Sequence, residues 1–160
     1  MGNEILQEVI SAFEQYTPDL PQHSAGKISV KPIGHGLIHN SYKIECELKS
    51  SFLLQKINTN VFPRPEDVQE NLIHISEYVA FEFTGLRLPY PKYYNSTGSL
   101  LKDRKGNYWR AFEFIDDSFS VNLPQSPSQA RATAIAFAKF TSAFDAFNVN
   151  RLNIVIPDFS

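Results

Sequence analysis

A glycine-bearing run between two segments of alternating polarity constrains this chain most. Ile28-Ser29-Val30-Lys31 alternates apolar and polar, and Gly34-His35-Gly36-Leu37-Ile38-His39-Asn40-Ser41 follows. Beyond it Tyr42, Ile44, Cys46 and Leu48 alternate with Lys43, Glu45 and Glu47. A period of two puts successive side chains on opposite faces of a strand. The pattern therefore predicts a β-hairpin with its tip at 34–40. Glycine lacks Cβ and tolerates positive φ, so the backbone at such a tip can approach a phosphate chain closely. Successive N–H groups there can cradle an anion. Gly34, His35, Gly36 and Asn40 are the candidates for that task, although two glycines in a hairpin are more often an ordinary turn.

The rest of the chain gives the hairpin its setting. Glu4 to Tyr16 reads as an amphipathic helix, with Ile5, Leu6, Val9, Ile10 and Phe13 on one side, ended by Pro18-Asp19-Leu20-Pro21. Strands are expected over about 27–33 and 40–48, a turn at Lys49-Ser50-Ser51, and a third strand from Phe52 to Ile57. Pro65, Glu66 and Asp67 suit the first turn of a helix running to about Phe83 and capped by Gly85. Val68, Leu72, Ile75 and Val79 line one stripe of it, with Ile73 and Phe81 on the other side, so both faces are expected to be covered. A proline-spaced strand follows around Tyr90–Asn95. Leu100-Leu101-Lys102 and Tyr108–Ile115 then form a hairpin turning at Asp103–Asn107. Asp116–Pro127 is a polar linker, and Pro127 to Phe147 is a last helix carrying Ala130, Ala134, Phe137, Thr141 and Phe144 at helical spacing.

Bulk properties exclude several classes. An apolar fraction of 42% supports a real core, while a net charge of −2 gives no electrostatic case for nucleic acid. No stretch is long and apolar enough to span a membrane. The amino terminus lacks the basic region of a signal peptide. Cys46 is the single cysteine, so no disulfide forms within the chain, and the cytoplasm is the expected compartment. The histidines at 23, 35, 39 and 74 form no zinc-spaced cluster with it.

Helix, three strands, helix, the Tyr90–Asn95 segment with a further two-stranded hairpin, linker and helix is the order; leaving the Tyr90–Asn95 segment aside, five strands with a helix inserted after the third is the layout of a kinase amino-terminal lobe. Phosphoryl transfer from ATP needs positioning and charge neutralisation more than covalent chemistry. Each part of such a lobe has a candidate. The 34–40 tip would cover the phosphates. Lys56 is the cation on the third strand, with Leu54 on the same strand face positioned to lie over adenine; a register slipped by one residue puts Gln55 there instead. Glu70 on the inserted helix would pair with Lys56, provided that its face, some 180° from the Val68/Leu72/Ile75/Val79 stripe, meets the sheet. Phe112 would back an adenine pocket, the Glu113 carbonyl would accept from the base, and the Ile115 N–H would donate to it.

These residues resemble a family. Gly36-Leu37-Ile38-His39-Asn40-Ser41-Tyr42 is similar to the Gly-x-Ile-Asn-Asp-Thr-Tyr stretch of the aminoglycoside phosphotransferase and choline kinase-like superfamily. Leu54-Gln55-Lys56-Ile57-Asn58-Thr59-Asn60-Val61-Phe62, then Pro65 and Val68-Gln69-Glu70-Asn71-Leu72, resembles its N-acetylhexosamine 1-kinase-like branch. Trp109-Arg110 through Glu113-Phe114-Ile115 looks like that branch's hinge, and Phe137, Phe140 and Ile156-Pro157-Asp158-Phe159 look like the helix and Pro-x-Phe that follow it. The resemblance implies an α+β, protein kinase-like amino-terminal lobe over residues 1–116. It implies a linker and the first helix of a carboxy-terminal lobe over 117–160. It further implies a transferase that takes ATP, with Mg2+ in the full-length parent, and phosphorylates a small-molecule hydroxyl of a sugar such as an N-acetylhexosamine.

The family's catalytic His-x-Asp-x-x-x-x-Asn loop has no counterpart, since no His-x-Asp occurs in the sequence. Asp116 and Asp117 cannot replace it without a matching asparagine or second acid. The 160 residues alone are therefore expected to be inactive, and no catalytic residue or metal ligand is assigned. Some relatives in that branch carry a mucin-desulfatase label. The Cys-x-Pro/Ala-x-Arg core of a sulfatase is absent around Cys46-Glu47-Leu48-Lys49-Ser50. The alternatives are a pseudokinase-like module that holds nucleotide or a partner without chemistry, and a β-rich interaction domain. In the kinase-lobe reading the apolar face of helix 127–147, carrying Ala130, Ala134, Phe137, Phe140 and Phe144, predicts self-association.

Overall fold

A computed structural model describes residues 2–16, 28–34, 38–46, 49–82, 86, 88–96, 98–118, 121 and 123–156, with backbone only at 49 and 50. The fold is α+β. Helix α1 (Asn3–Gln15) precedes strands β1 (Ser29–Pro32), β2 (Asn40–Cys46) and β3 (Lys49–Lys56). Helix α2 (Pro65–Glu82), strands β4 (Leu100–Lys102) and β5 (Tyr108–Glu113) and helix α3 (Pro127–Ala143) follow. The strands form one antiparallel sheet in the order β1-β2-β3-β5-β4. The alternation at 28–48 does make a hairpin, with Val30 opposite Ile44 and Pro32 opposite Tyr42.

The face of the sheet that carries the apolar set is closed by α1. Val9, Ala12, Phe13 and Tyr16 pack against Tyr42, Ile44, Phe52, Leu54, Trp109 and Ala111, all buried. A polar knot fixes the helix end to the last hairpin: the Tyr16 hydroxyl donates to the Trp109 and Ser99 carbonyls at 2.6 and 3.0 Å and accepts from the Leu101 N–H at 3.1 Å. The β4–β5 turn is built as the sequence suggests. Asp103 Oδ1 accepts from the N–H groups of Lys105 and Asn107, and Gly106 takes a φ of +85°.

Helix α2 starts at Pro65 with Glu66 and Asp67 in its first turn, where the helix dipole favours acids. Its inward line differs from the expected one: the buried residues are Pro65, Gln69, Ser76 and Val79, and Val68 and Ile75 are only partly buried. The polar Gln69 is tolerated inside because its amide donates to Ser99 Oγ at 2.9 Å. Phe81 is left 85% exposed, so the second face of this helix is not covered there.

Three further expectations change. Tyr90–Asn95 is not a sheet strand; only Pro91 forms a bridge, to Phe112. Lys49–Ser51 is the start of β3 and not a turn, with Cys46 opposite Lys49 after a bulge. Helix α3 begins as read, capped by Ser126 Oγ accepting from the Gln129 N–H, but ends at Ala143. Phe144 and Phe147 leave the helical path to pack on Tyr78 of α2, at ring separations of 5.9 and 5.0 Å. The chain then runs beside α2. The Asn71 side chain brackets Asn153, accepting from its N–H at 2.7 Å and donating to its carbonyl at 2.9 Å, and Arg64 donates to the Ile154 carbonyl. Gly85 and 157–160 lie outside the described residues. Among those described, no helix is long and apolar enough to cross a membrane.

Candidate functional site

The alternation of β3 decides which side chains can meet. Leu54 is fully buried beneath α1. Lys56 lies on that same face, where its ammonium is ion-paired with Glu8 of α1 and sits 5.5 Å from the Trp109 ring centre. Asn40 stands opposite Lys56 and lines with it a small cavity of about 280 Å3, along with Asn58 and Asn107. Leu53 and Gln55 point the other way. On β5 their partners are Phe112 and Arg110 respectively.

That second face holds the candidate site. A cleft of about 360 Å3 is lined by Leu53, Gln55, Arg110 and Phe112 from the sheet and Leu72 from α2. It is also lined by Glu113, Phe114 and Ile115, where the chain leaves β5. Leu53, Leu72 and Phe112 make its apolar walls. Its polar end is a bonded row across three strands. Gln55 Nε2 donates to Ser41 Oγ at 3.0 Å, and Arg110 Nε donates to Gln55 Oε1 at 3.0 Å. The Arg110 guanidinium carbon lies 5.4 Å from the Phe112 ring centre. Partial burial pulls the Arg110 pKa below the ordinary guanidinium value, although such a group stays charged at any ordinary pH.

The exit from β5 has a defined geometry. The Phe114 N–H donates to the Ser51 carbonyl at 2.9 Å. By strand alternation the backbone groups of Glu113 therefore point away from β3. The chain turns at Asp117, whose φ is +58°, and the Ser118 hydroxyl donates to the Ile115 carbonyl at 2.6 Å. Lys43 covers Phe114 at 4.4 Å from the ring centre.

His39 sits at the tip end of β2. Its Nδ1 accepts from the Asn58 N–H at 3.3 Å, which leaves the ring proton on Nε2, and its ring packs on Phe62 at 5.4 Å. Burial, with the nearby charge of Arg110, holds its pKa below the ordinary value, so it is neutral at pH 7.

The expected arrangement is thus split in two. Phe112, Glu113 and Ile115 do line one cleft. Leu54, Lys56 and Asn40 do not reach it, because they occupy the strand face that α1 covers. The slipped register, with Gln55 toward the cleft, is the one observed. Glu70 does not meet Lys56: its carboxylate accepts from Asn153 Nδ2 at 2.7 Å and lies 3.8 Å from the His74 ring. The reason is rotation of α2, which turns Gln69 inward and so leaves Glu70, one position on, facing solvent and the returning chain. Gly34 has a φ of +65° as a tight tip needs; His35 and Gly36 lie outside the described residues.

Ser41, Leu53 and Arg110 were not singled out in the sequence. The polar row depends on the β3–β5 register that sets Gln55 opposite Arg110, which no local stretch of sequence records. A larger cavity, about 600 Å3, lies beyond α1 against the β4–β5 turn. Its charged residues are already engaged, with Lys105 paired to Glu4 and Glu8, and it lies at the opposite end of β5 from the exit. No protein-family model matches the chain.

Proposed function

We propose that the chain is the ATP-binding portion of a phosphotransferase acting on a small-molecule hydroxyl, with a sugar such as an N-acetylhexosamine as the acceptor class. One observation carries this: the apolar cleft at the exit of β5, with a guanidinium at its inner end. Its volume of about 360 Å3 falls within the roughly 300–1,000 Å3 typical of small-ligand sites. Leu53 and Phe112 offer flat apolar contact for a base, and the backbone of Glu113 and Ile115 offers an acceptor and a donor. In this reading the Ser41–Gln55–Arg110 row would meet the phosphates. The aminoglycoside phosphotransferase-like resemblance supplies the acceptor class. Bound ATP would bring the transferable phosphoryl group; the described residues hold no acidic cluster for its metal.

A second reading is a module that binds nucleotide without transfer. Calorimetric titration with ATP tests both, using Leu53→Trp to fill the cleft. Wild-type binding that the substitution abolishes is the expected result. Equal binding by both proteins would overturn the assignment of the cleft. Phosphorylation of an N-acetylhexosamine by the isolated 160 residues is not expected, since loss of a general base alone typically costs about 10²–10⁴ in rate.

A further inference from the structure

We infer that Arg110, and not Lys56, is the cation that holds the phosphate chain at this cleft; the inference rests on the nucleotide reading above for the ligand, but on the local charge balance for the site. Among the described residues four cationic side chains are partly buried: Lys43, Lys56, Lys92 and Arg110. The first three each have a carboxylate. Lys43 pairs with Glu45 and Asp116, Lys56 with Glu8, and Lys92 with Glu113. Arg110 has none within ion-pair distance among the described residues.

A cation removed from water without a counter-charge is costly, and proteins leave one so where a ligand supplies the anion. The geometry agrees. Nε of Arg110 is held by Gln55, and Gln55 is in turn held by Ser41. That anchoring fixes the plane of the guanidinium and leaves its two terminal nitrogens to fork onto phosphate oxygens. The row begins at Ser41, near the start of β2. His39 contributes no competing positive charge there, being neutral. Lys56 is separated from the cleft by the sheet itself and is already neutralised by Glu8. Gln55, occupying the inward position of β3, thus acts as a positioning residue that hands the charge to the neighbouring strand.

The test is calorimetric titration of the full chain with ATP, tripolyphosphate and adenosine. Wild type is compared with Arg110→Gln, Arg110→Lys and Lys56→Gln. Arg110→Gln is expected to weaken ATP and tripolyphosphate by about tenfold to a hundredfold, the scale of a charge-assisted bond, and to leave adenosine within twofold. Arg110→Lys should fall between, because a point charge cannot reproduce the fork. If Arg110→Gln fails to fold by circular dichroism, the lysine variant decides on the same ATP-to-adenosine comparison. Lys56→Gln should leave all three ligands unchanged. Equal losses for ATP and adenosine would make Arg110 structural, and a loss confined to Lys56→Gln would return the role to Lys56; either overturns the inference. Tripolyphosphate binding without any adenosine binding would sustain the anion site while removing the nucleotide reading. A wild type that binds neither ATP nor tripolyphosphate would overturn the anion site.

Discussion

Tyr16→Phe removes one oxygen and isolates the knot that joins α1 to the last hairpin. The ring stays, so its packing against Tyr94, at 5.8 Å edge-to-face, is kept. The hydroxyl proton now shared by the Trp109 and Ser99 carbonyls is lost, and the Leu101 N–H loses its acceptor. Each net hydrogen bond is worth about 1 kcal/mol, and a buried group left unpaired costs about 1–3 kcal/mol. One shared donor bond lost, about 1 kcal/mol, and one N–H stranded in the lower part of its range because it is only partly buried, about 1–2 kcal/mol, give a destabilisation of about 2–3 kcal/mol. Urea unfolding followed by fluorescence of Trp109, the single tryptophan, reads this directly. With an m-value of about 2 kcal/mol/M, the midpoint should fall by about 1–1.5 M with m unchanged. The hydroxyl also carries a pH signature. Burial raises its pKa well above the ordinary tyrosine value, outweighing the Leu101 backbone bond. A raised pKa means that the contribution is complete below the unfolded-state value of about 10 and is lost as pH rises beyond it. Wild type should therefore lose stability more steeply than Tyr16→Phe above pH 10. A midpoint shift corresponding to under about 0.5 kcal/mol, or parallel alkaline profiles, would refute the knot as a structural tie.

Asp103→Asn should cost about 1 kcal/mol at pH 7, since Trp109 Nε1 and Asn107 Nδ2 both lose the Oδ2 acceptor. Burial tends to raise this carboxyl's pKa, but those bonds and the turn N–H groups outweigh it and hold it below the ordinary value. The penalty should therefore fade as pH drops through the folded pKa, and an equal penalty at pH 7 and pH 3 would refute the account. Lys56→Ala breaks the partly buried pair with Glu8 and should lower stability by about 1 kcal/mol in urea unfolding; restoring wild-type stability with the added change Glu8→Ala would confirm coupling, and simple additivity would deny it. Phe137 is 69% exposed on α3, so Phe137→Ser should leave the unfolding midpoint within about 0.5 kcal/mol. Light scattering should show the wild type associating through this face and the variant not; a monodisperse wild type would end that expectation.

Most of the elements could be read along the chain. Alternation at 28–48 specified a hairpin, because one apolar face per strand admits only one way to bury Tyr42 and Ile44. Pro65 and Pro127 marked two helix starts, and Asp103–Asn107 marked a turn, each through geometry fixed within a few residues. The sequence also placed Phe112, Glu113 and Ile115 together, as neighbours on one strand end must be. Tertiary structure decided which face each strand gave to which helix. Whether Lys56 or Gln55 looks into the cleft depends on α1 covering the Leu54 face, a contact between segments some forty residues apart. Whether Glu70 or Gln69 turns inward depends on the rotation of α2, and the 3.6-residue period leaves adjacent positions only 100° apart. Arg110 gained its meaning last, because an uncompensated charge is a property of everything packed around it, and no single stretch of sequence records that.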